Sequence, residues 1–142
     1  MTGRFASLVA LLIFAGAAHA QGAQWIPAGP GAPFSTAVRV PPMLYLSGML
    51  GTDSTGKLVA GGIGPETRQA LENIRAALTK NGSSLDKVVK CTVMLADIKE
   101  WGDMNKVYVT FFPMHLPARS AFGTGGLALG ARVEIECWAT AA

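Results

Sequence analysis

The sequence has little of what most metal and nucleophile chemistry requires. Its 142 residues include only two His and two Cys. His115 has no second His at helical or hairpin spacing, and Cys91 and Cys137 stand far apart without a C-x-x-C partner, so no metal is expected. No G-x-S-x-G, G-x-G-x-x-G or Walker pattern occurs, which removes ordinary serine hydrolases, dinucleotide-binding folds and P-loop NTPases. Charge is also scarce, at 15% of residues and a net +3. With half of the chain hydrophobic, that excludes intrinsic disorder, and two cysteines cannot staple a miniprotein. The basic residues are spread singly, with no run or aromatic-basic stripe, so no nucleic-acid partner is expected.

What is present begins with a leader-like segment. Met1 to Arg4 carries one positive charge, Phe5 to Ala18 is almost unbroken apolar chain, and Ala18-His19-Ala20 is an A-x-A cleavage pattern. Residues 1–20 therefore read as a secretory signal peptide and residues 21–142 as one domain, secreted or periplasmic. The apolar run, about 14 residues, is short of the roughly 20 that span a bilayer, so cleavage is favoured over anchoring and no membrane association is expected afterwards. Removal of Arg4 leaves a charge of about +2, too small to imply an acidic partner.

Periodicity then sketches the domain. Gly and Pro make residues 21–33 an irregular lead-in. Leu44 to Leu46 suggests a short strand closed by Ser47-Gly48, and turns dominate Gly51 to Gly64. Pro65 stands where the first helical residue would fall. Ala70, Leu71, Ile74, Ala77 and Leu78 then make one apolar stripe that ends at Asn81-Gly82. Val88 to Leu95 is β-branched and bounded, with Val89, Cys91, Val93 and Leu95 on its apolar face. A second helix starts at the capping-box-like pair Asp97 and Glu100 and runs through Trp101 and Tyr108 towards Pro113. Arg119 to Phe122 and Arg132 to Trp138 complete the strands. The last alternates with Val133, Ile135 and Cys137 on one face and Glu134, Glu136 and Trp138 on the other.

Strands interleaved with two helices predict an α+β layer pair, a sheet with both helices on one face. The other face, partly apolar with Tyr45, Met94 and Trp138 among polar residues, has no layer in the chain to cover it and predicts self-association. The two cysteines fall on apolar strand faces. They are expected as buried thiols, because neighbouring strands seldom offer good disulfide geometry. Arg119 has two readings: a structural ion-pair partner for Glu134 or Glu136, which periodicity alone favours, or a fork that grips a substrate carboxylate while a Glu moves a proton.

Ser47-Gly48, Thr67 to Ile74, Val89 to Val93, Asn105 to Tyr108 with Phe111-Phe112, Pro117-Ala118-Arg119-Ser120 and Val133-Glu134-Ile135-Glu136 together resemble the Rid (YjgF-like) family. The resemblance spans about residues 31 to 139. It implies a chorismate-mutase-like fold, a homotrimer with ligand clefts between subunits, and no cofactor. It also implies a RidA-like hydrolase that turns reactive enamines and imines, such as 2-aminoacrylate and 2-iminobutanoate, into 2-keto acids and ammonia.

Residue by residue, Arg119 matches the arginine that binds the substrate carboxylate. Glu134 matches the acid proposed to position and activate the hydrolytic water. Ser47 and Gly48 match cleft-lining positions, and Asn105 a position near the site. Two positions depart from the pattern. Phe34 stands where deaminases carry a Tyr, and Ala121 where a Cys is frequent. A non-catalytic trimer that binds small carboxylates, or a chaperone-like protein, is the alternative reading; ribonuclease activity, reported for some relatives, ranks below both because no basic stripe exists.

Overall fold

Alternation of β-branched with other residues marks the two longest strands, Val88–Leu95 and Val133–Thr140. In the computed structural model, which describes residues 22–141, one mixed sheet has the order β1-β2-β3-β7-β5-β6, with β4 also paired to β7. The strands are β1 Gln24–Pro27, β2 Ser35–Val40, β3 Met43–Leu46, β4 Met49–Leu50, β5 Val88–Leu95, β6 Ala118–Gly123 and β7 Val133–Thr140. Only β5 and β6 run parallel, joined by the crossover that contains helix α2, Trp101–Tyr108. The predicted signal peptide lies outside the described residues.

Helix α1, Ile63–Lys80, and α2 share one face of the sheet. Ala70, Leu71, Ile74 and Leu78 are fully buried there with Val93, Leu95, Val133 and Ile135, each large side chain contributing about 2 kcal/mol of burial. Gly82 at φ 73 ends α1: its N–H donates to Thr79 O, and the Ser83 N–H to Leu78 O. Pro65 is the third helical residue rather than the first, since the helix begins at Ile63 behind Gly62 at φ 87. Within the first turn its missing N–H has no partner to lose.

Other expectations need correction. The lead-in is not wholly irregular: Gln24–Pro27 pairs along β2, with Trp25 opposite Val38. Val89 is 44% exposed, because a register shift between Val88 and Lys90 turns Val88 inward instead. The second helix is interrupted by 3-10 turns on both sides. Asp97 caps the leading 3-10 turn, Ile98–Glu100, by accepting the Lys99 N–H at 2.9 Å. Glu100, however, pairs with Arg132 rather than closing a capping box.

Cys91 and Cys137 are not free thiols. They are directly opposed partners in the antiparallel β5–β7 ladder, with Cα atoms 4.2 Å apart, and they form a disulfide. Their strands point both side chains to the same buried face at the same register, which is what the spacing could not show.

The outward sheet face carries Tyr45 edge-on to Trp138, with ring centroids 5.2 Å apart, and the exposed Phe122. These aromatic rings stand among Thr92, Ser120, Glu134 and Glu136, a partly apolar face as the sequence reading has it, and no element of the described chain covers it.

Candidate active site

Arg119 enters the site from β6. In the parallel ladder it lies opposite Cys91, so it shares the helix-facing side of the sheet. There one stripe of α2 receives it. Residues at i, i+4 and i+7 lie on one helical face, and here they are Trp101, Asn105 and Tyr108. The Arg119 guanidinium lies over the Tyr108 ring at 4.7 Å and the Trp101 ring at 5.5 Å, and Nη1 donates to Asn105 Oδ1 at 2.6 Å. A guanidinium has five N–H donors, so this cradle fixes the fork while leaving donors for a ligand. Arg119, Asn105, Tyr108, Leu116 and Pro117 line a cavity of about 260 Å³.

Tyr108 is buried, and its hydroxyl has no hydrogen-bond partner. Burial pushes the phenol up to about 12, opposed by the nearby Arg119 charge. Trp101 and Tyr108 are site residues that the sequence reading did not single out; the signal available was their helical spacing around Asn105.

The other predicted residues assemble elsewhere. Glu134 lies on β7 among the outward positions, opposite Leu50 of β4 and Met94 of β5. Gly48 sits directly against it. A Cβ built on Gly48 would stand 1.9 Å from Glu134 Oε1, so only glycine admits the carboxylate in this position. Ser47 is held by its own hydroxyl, which donates to Ser35 O at 2.6 Å. Phe34, Ser47 and Gly48 line a second cavity, of about 380 Å³. Its wall is braced by Asn73, whose Nδ2 donates to both Leu50 O and Thr52 O at 2.9 Å.

The structure therefore groups Arg119 with Asn105, sets Glu134 against Gly48, and places Phe34, Ser47 and Gly48 around the second cavity, which Glu134 does not itself line. It does not bring the cation and the carboxylate together within one chain. Arg119 and Glu134 occupy opposite faces of the sheet on strands separated by β5, and their register partners on β5 are three residues apart. At strand spacings that separates their Cα atoms by roughly 14 Å. The ion-pair reading of Arg119 is thereby corrected: no salt bridge joins it to Glu134 or Glu136 among the described residues, because alternation on β7 turns both glutamates away from the helices. Among the same residues, no group of three or more His, Cys, Asp or Glu could hold a metal, and no helix is long and apolar enough to cross a membrane.

A two-helix layer on a mixed sheet, with a cradled arginine on one face and a glycine-backed glutamate on the other, defines a YjgF-like α+β protein. Solved structures agree. A Rid-family protein from Yersinia pestis superposes with a TM-score of 0.78 at 35% identity, covering 84% of this chain and 99% of that one. TdcF from E. coli, solved with bound serine, gives 0.73 at 29% identity, covering 78% and 90%.

The chain belongs to the Rid family: the model of the family described as Endoribonuclease L-PSP matches residues 27–141. The 2-iminobutanoate/2-iminopropanoate deaminase of Mus musculus is 46% identical over 105 residues, 73% of this chain and 78% of that protein. Its Homo sapiens counterpart is 44% identical over 110 residues, 75% and 80%.

Proposed function

We propose that this protein is a metal-independent deaminase of small imino acids, converting 2-iminobutanoate-type substrates to 2-keto acids and ammonia, with its sites completed between subunits of a homotrimer. The observation that carries the reading is the cradled Arg119, a cationic fork fixed by Trp101, Asn105 and Tyr108 beside an open cavity. Such a fork suits a carboxylate, which it grips with two parallel N–H···O bonds. The relatives named as 2-iminobutanoate/2-iminopropanoate deaminases, and the relative solved with serine, support a substrate of amino-acid size bearing a carboxylate.

The chemistry asks for little else. The imine carbon is already electrophilic. Arg119 orients the acid, and Glu134 from a neighbouring subunit takes a proton from water as the oxygen bonds to that carbon and the C=N electron pair moves to nitrogen. Glu134 returns that proton to nitrogen, and transfer of the hydroxyl proton to the same nitrogen lets ammonia leave as the C–N bond breaks and the C=O bond forms. Ser47, Gly48 and Phe34 would line the neighbour's half of the cleft. The uncovered, partly apolar outward face supports this arrangement, because one chain alone keeps the fork and the carboxylate on opposite sides of its sheet.

Export of the mature domain belongs to the same proposal. The leader-like residues 1–20 support it, and so does the buried Cys91–Cys137 disulfide, a bond that persists in oxidising compartments. Its check is the N-terminal residue of the protein recovered from its source, expected at Gln21. For the activity, ammonia release from freshly generated 2-iminobutanoate is expected to exceed the spontaneous rate and to vanish in Arg119→Ala while the fold persists. Undiminished turnover in that variant refutes the proposal. Binding of 2-keto acids without turnover selects the non-catalytic reading.

A further inference from the structure

We propose that Phe34 and Leu129 form an apolar selectivity wall, so that the site prefers imino acids with longer or branched aliphatic side chains over 2-iminobutanoate. The inference rests on the deaminase reading and adds its substrate preference. The cavity beside Ser47 and Gly48 holds about 380 Å³, within the range that accepts drug-sized ligands, whereas 2-iminobutanoate has only about seven heavy atoms. Thr36, Ser47, Thr52 and Asn73 supply its polar lining, and Gly48 separates it from Glu134; Met49, Leu50, Phe34 and Leu129 supply apolar lining.

Leu129 is the more telling of the pair. It has φ 60 and ψ 8 and is the only non-glycine residue at positive φ among the described residues. A β-carbon disfavours that conformation, and strain of this kind is kept where the surroundings use it. Packing within the single chain does not explain it, since Leu129 is 69% exposed there. The same loop already uses glycine at positive φ in Gly126 and Gly130, so it tolerates the residue that would remove the strain. Phe34, which lines the same cavity, is likewise 59% exposed. Two large apolar side chains thus stand exposed on the single chain around the cavity that would form the neighbour's half of the proposed cleft.

A side chain entering that cavity would remove both from water. At the usual transfer value each added methylene raises kcat/KM about fourfold. The imino acid derived from leucine has two more side-chain carbons than 2-iminobutanoate, so its kcat/KM is expected to be roughly 15-fold higher. The assay generates each imino acid in place with an amino-acid oxidase and follows ammonia release by the intact protein. Melting-temperature shifts with the matching 2-keto acids give the same ratio from binding alone.

Leu129→Gly and Phe34→Ala are each expected to lower both ratios at least threefold, chiefly through KM. Equal or inverted ratios in the parent chain overturn the inference. So does a variant that loses assembly or thermal stability while its ratios stay unchanged. Absence of turnover on every imino acid, with the binding ratio retained, overturns the deaminase reading and leaves the selectivity standing.

Discussion

If the fork and the carboxylate of one site come from different chains, two inactive variants should rescue each other. Arg119→Ala keeps Glu134, and Glu134→Ala keeps Arg119; the two side chains lie on opposite sheet faces, so neither variant disturbs the other's cradle directly. In a cyclic assembly each site takes its arginine from one subunit and its glutamate from the next. After random equimolar mixing, the arginine donor is sound with a probability of about one half, and so is the glutamate donor. About one quarter of the sites are then intact, whatever the number of subunits in the ring. Each parent is expected to retain little: a lost carboxylate clamp or general base costs on the order of 10²-fold or more. The assay is ammonia release from 2-iminobutanoate after the two chains are co-expressed, or unfolded and refolded together. Recovery near one quarter of the unmodified rate supports a shared site. A mixture no better than the mean of its parents refutes it, because a site built within one chain carries one defect in every subunit.

Three further outcomes follow from single contacts. Gly48→Ala puts a Cβ where Glu134 Oε1 now lies, 1.9 Å away; the carboxylate is the free end of a flexible side chain, so it swings aside at little cost to the fold. Turnover should fall at least tenfold with the melting temperature nearly unchanged, and retained turnover would remove Glu134 from the chemistry. The Cys91–Cys137 disulfide closes a span of 46 residues, so Cys91→Ala with Cys137→Ala should cost about 4 kcal/mol in a denaturant titration on the chain-entropy account. An intact mass that does not change by about 2 Da on reduction would show that the bond is absent. Tyr108 titrates in the fold near 12 against about 10 in an unfolded chain. Its neutral form is favoured by folding, so that part of the stability is present below pH 10 and is lost as pH rises towards 12. Tyr108→Phe should therefore flatten the loss of stability in that window, and an unchanged pH profile would show that the phenol is not buried in solution.

How much of this was legible in the sequence depends on the range of the interaction that decides each feature. The apolar stripe of α1, the span of β5 and the two faces of β7 are set by local periodicity, and they stand where the residues put them. Serine and threonine flanking a short apolar stretch hid β2, and the Gly and Pro around it hid β1, since an edge strand is held by its neighbour rather than by its own composition. The Val88–Lys90 shift and the disulfide depend on how β5 and β7 align, which spacing along the chain does not encode.

The site divides in the same way. Arg119 and Glu134 could be picked out by residue type and by resemblance, but their relation to each other could not. It turns on one parity. Arg119 is paired to Cys91 and Glu134 to Met94, and positions three apart on a strand face opposite ways. An odd offset separates the cation from the carboxylate within the chain, and a partly apolar, uncovered sheet face lies on the side where the carboxylate stands. A second copy packed on that face is the simplest source of the missing arginine, which is why mixing the two variants tests fold, assembly and chemistry in one measurement.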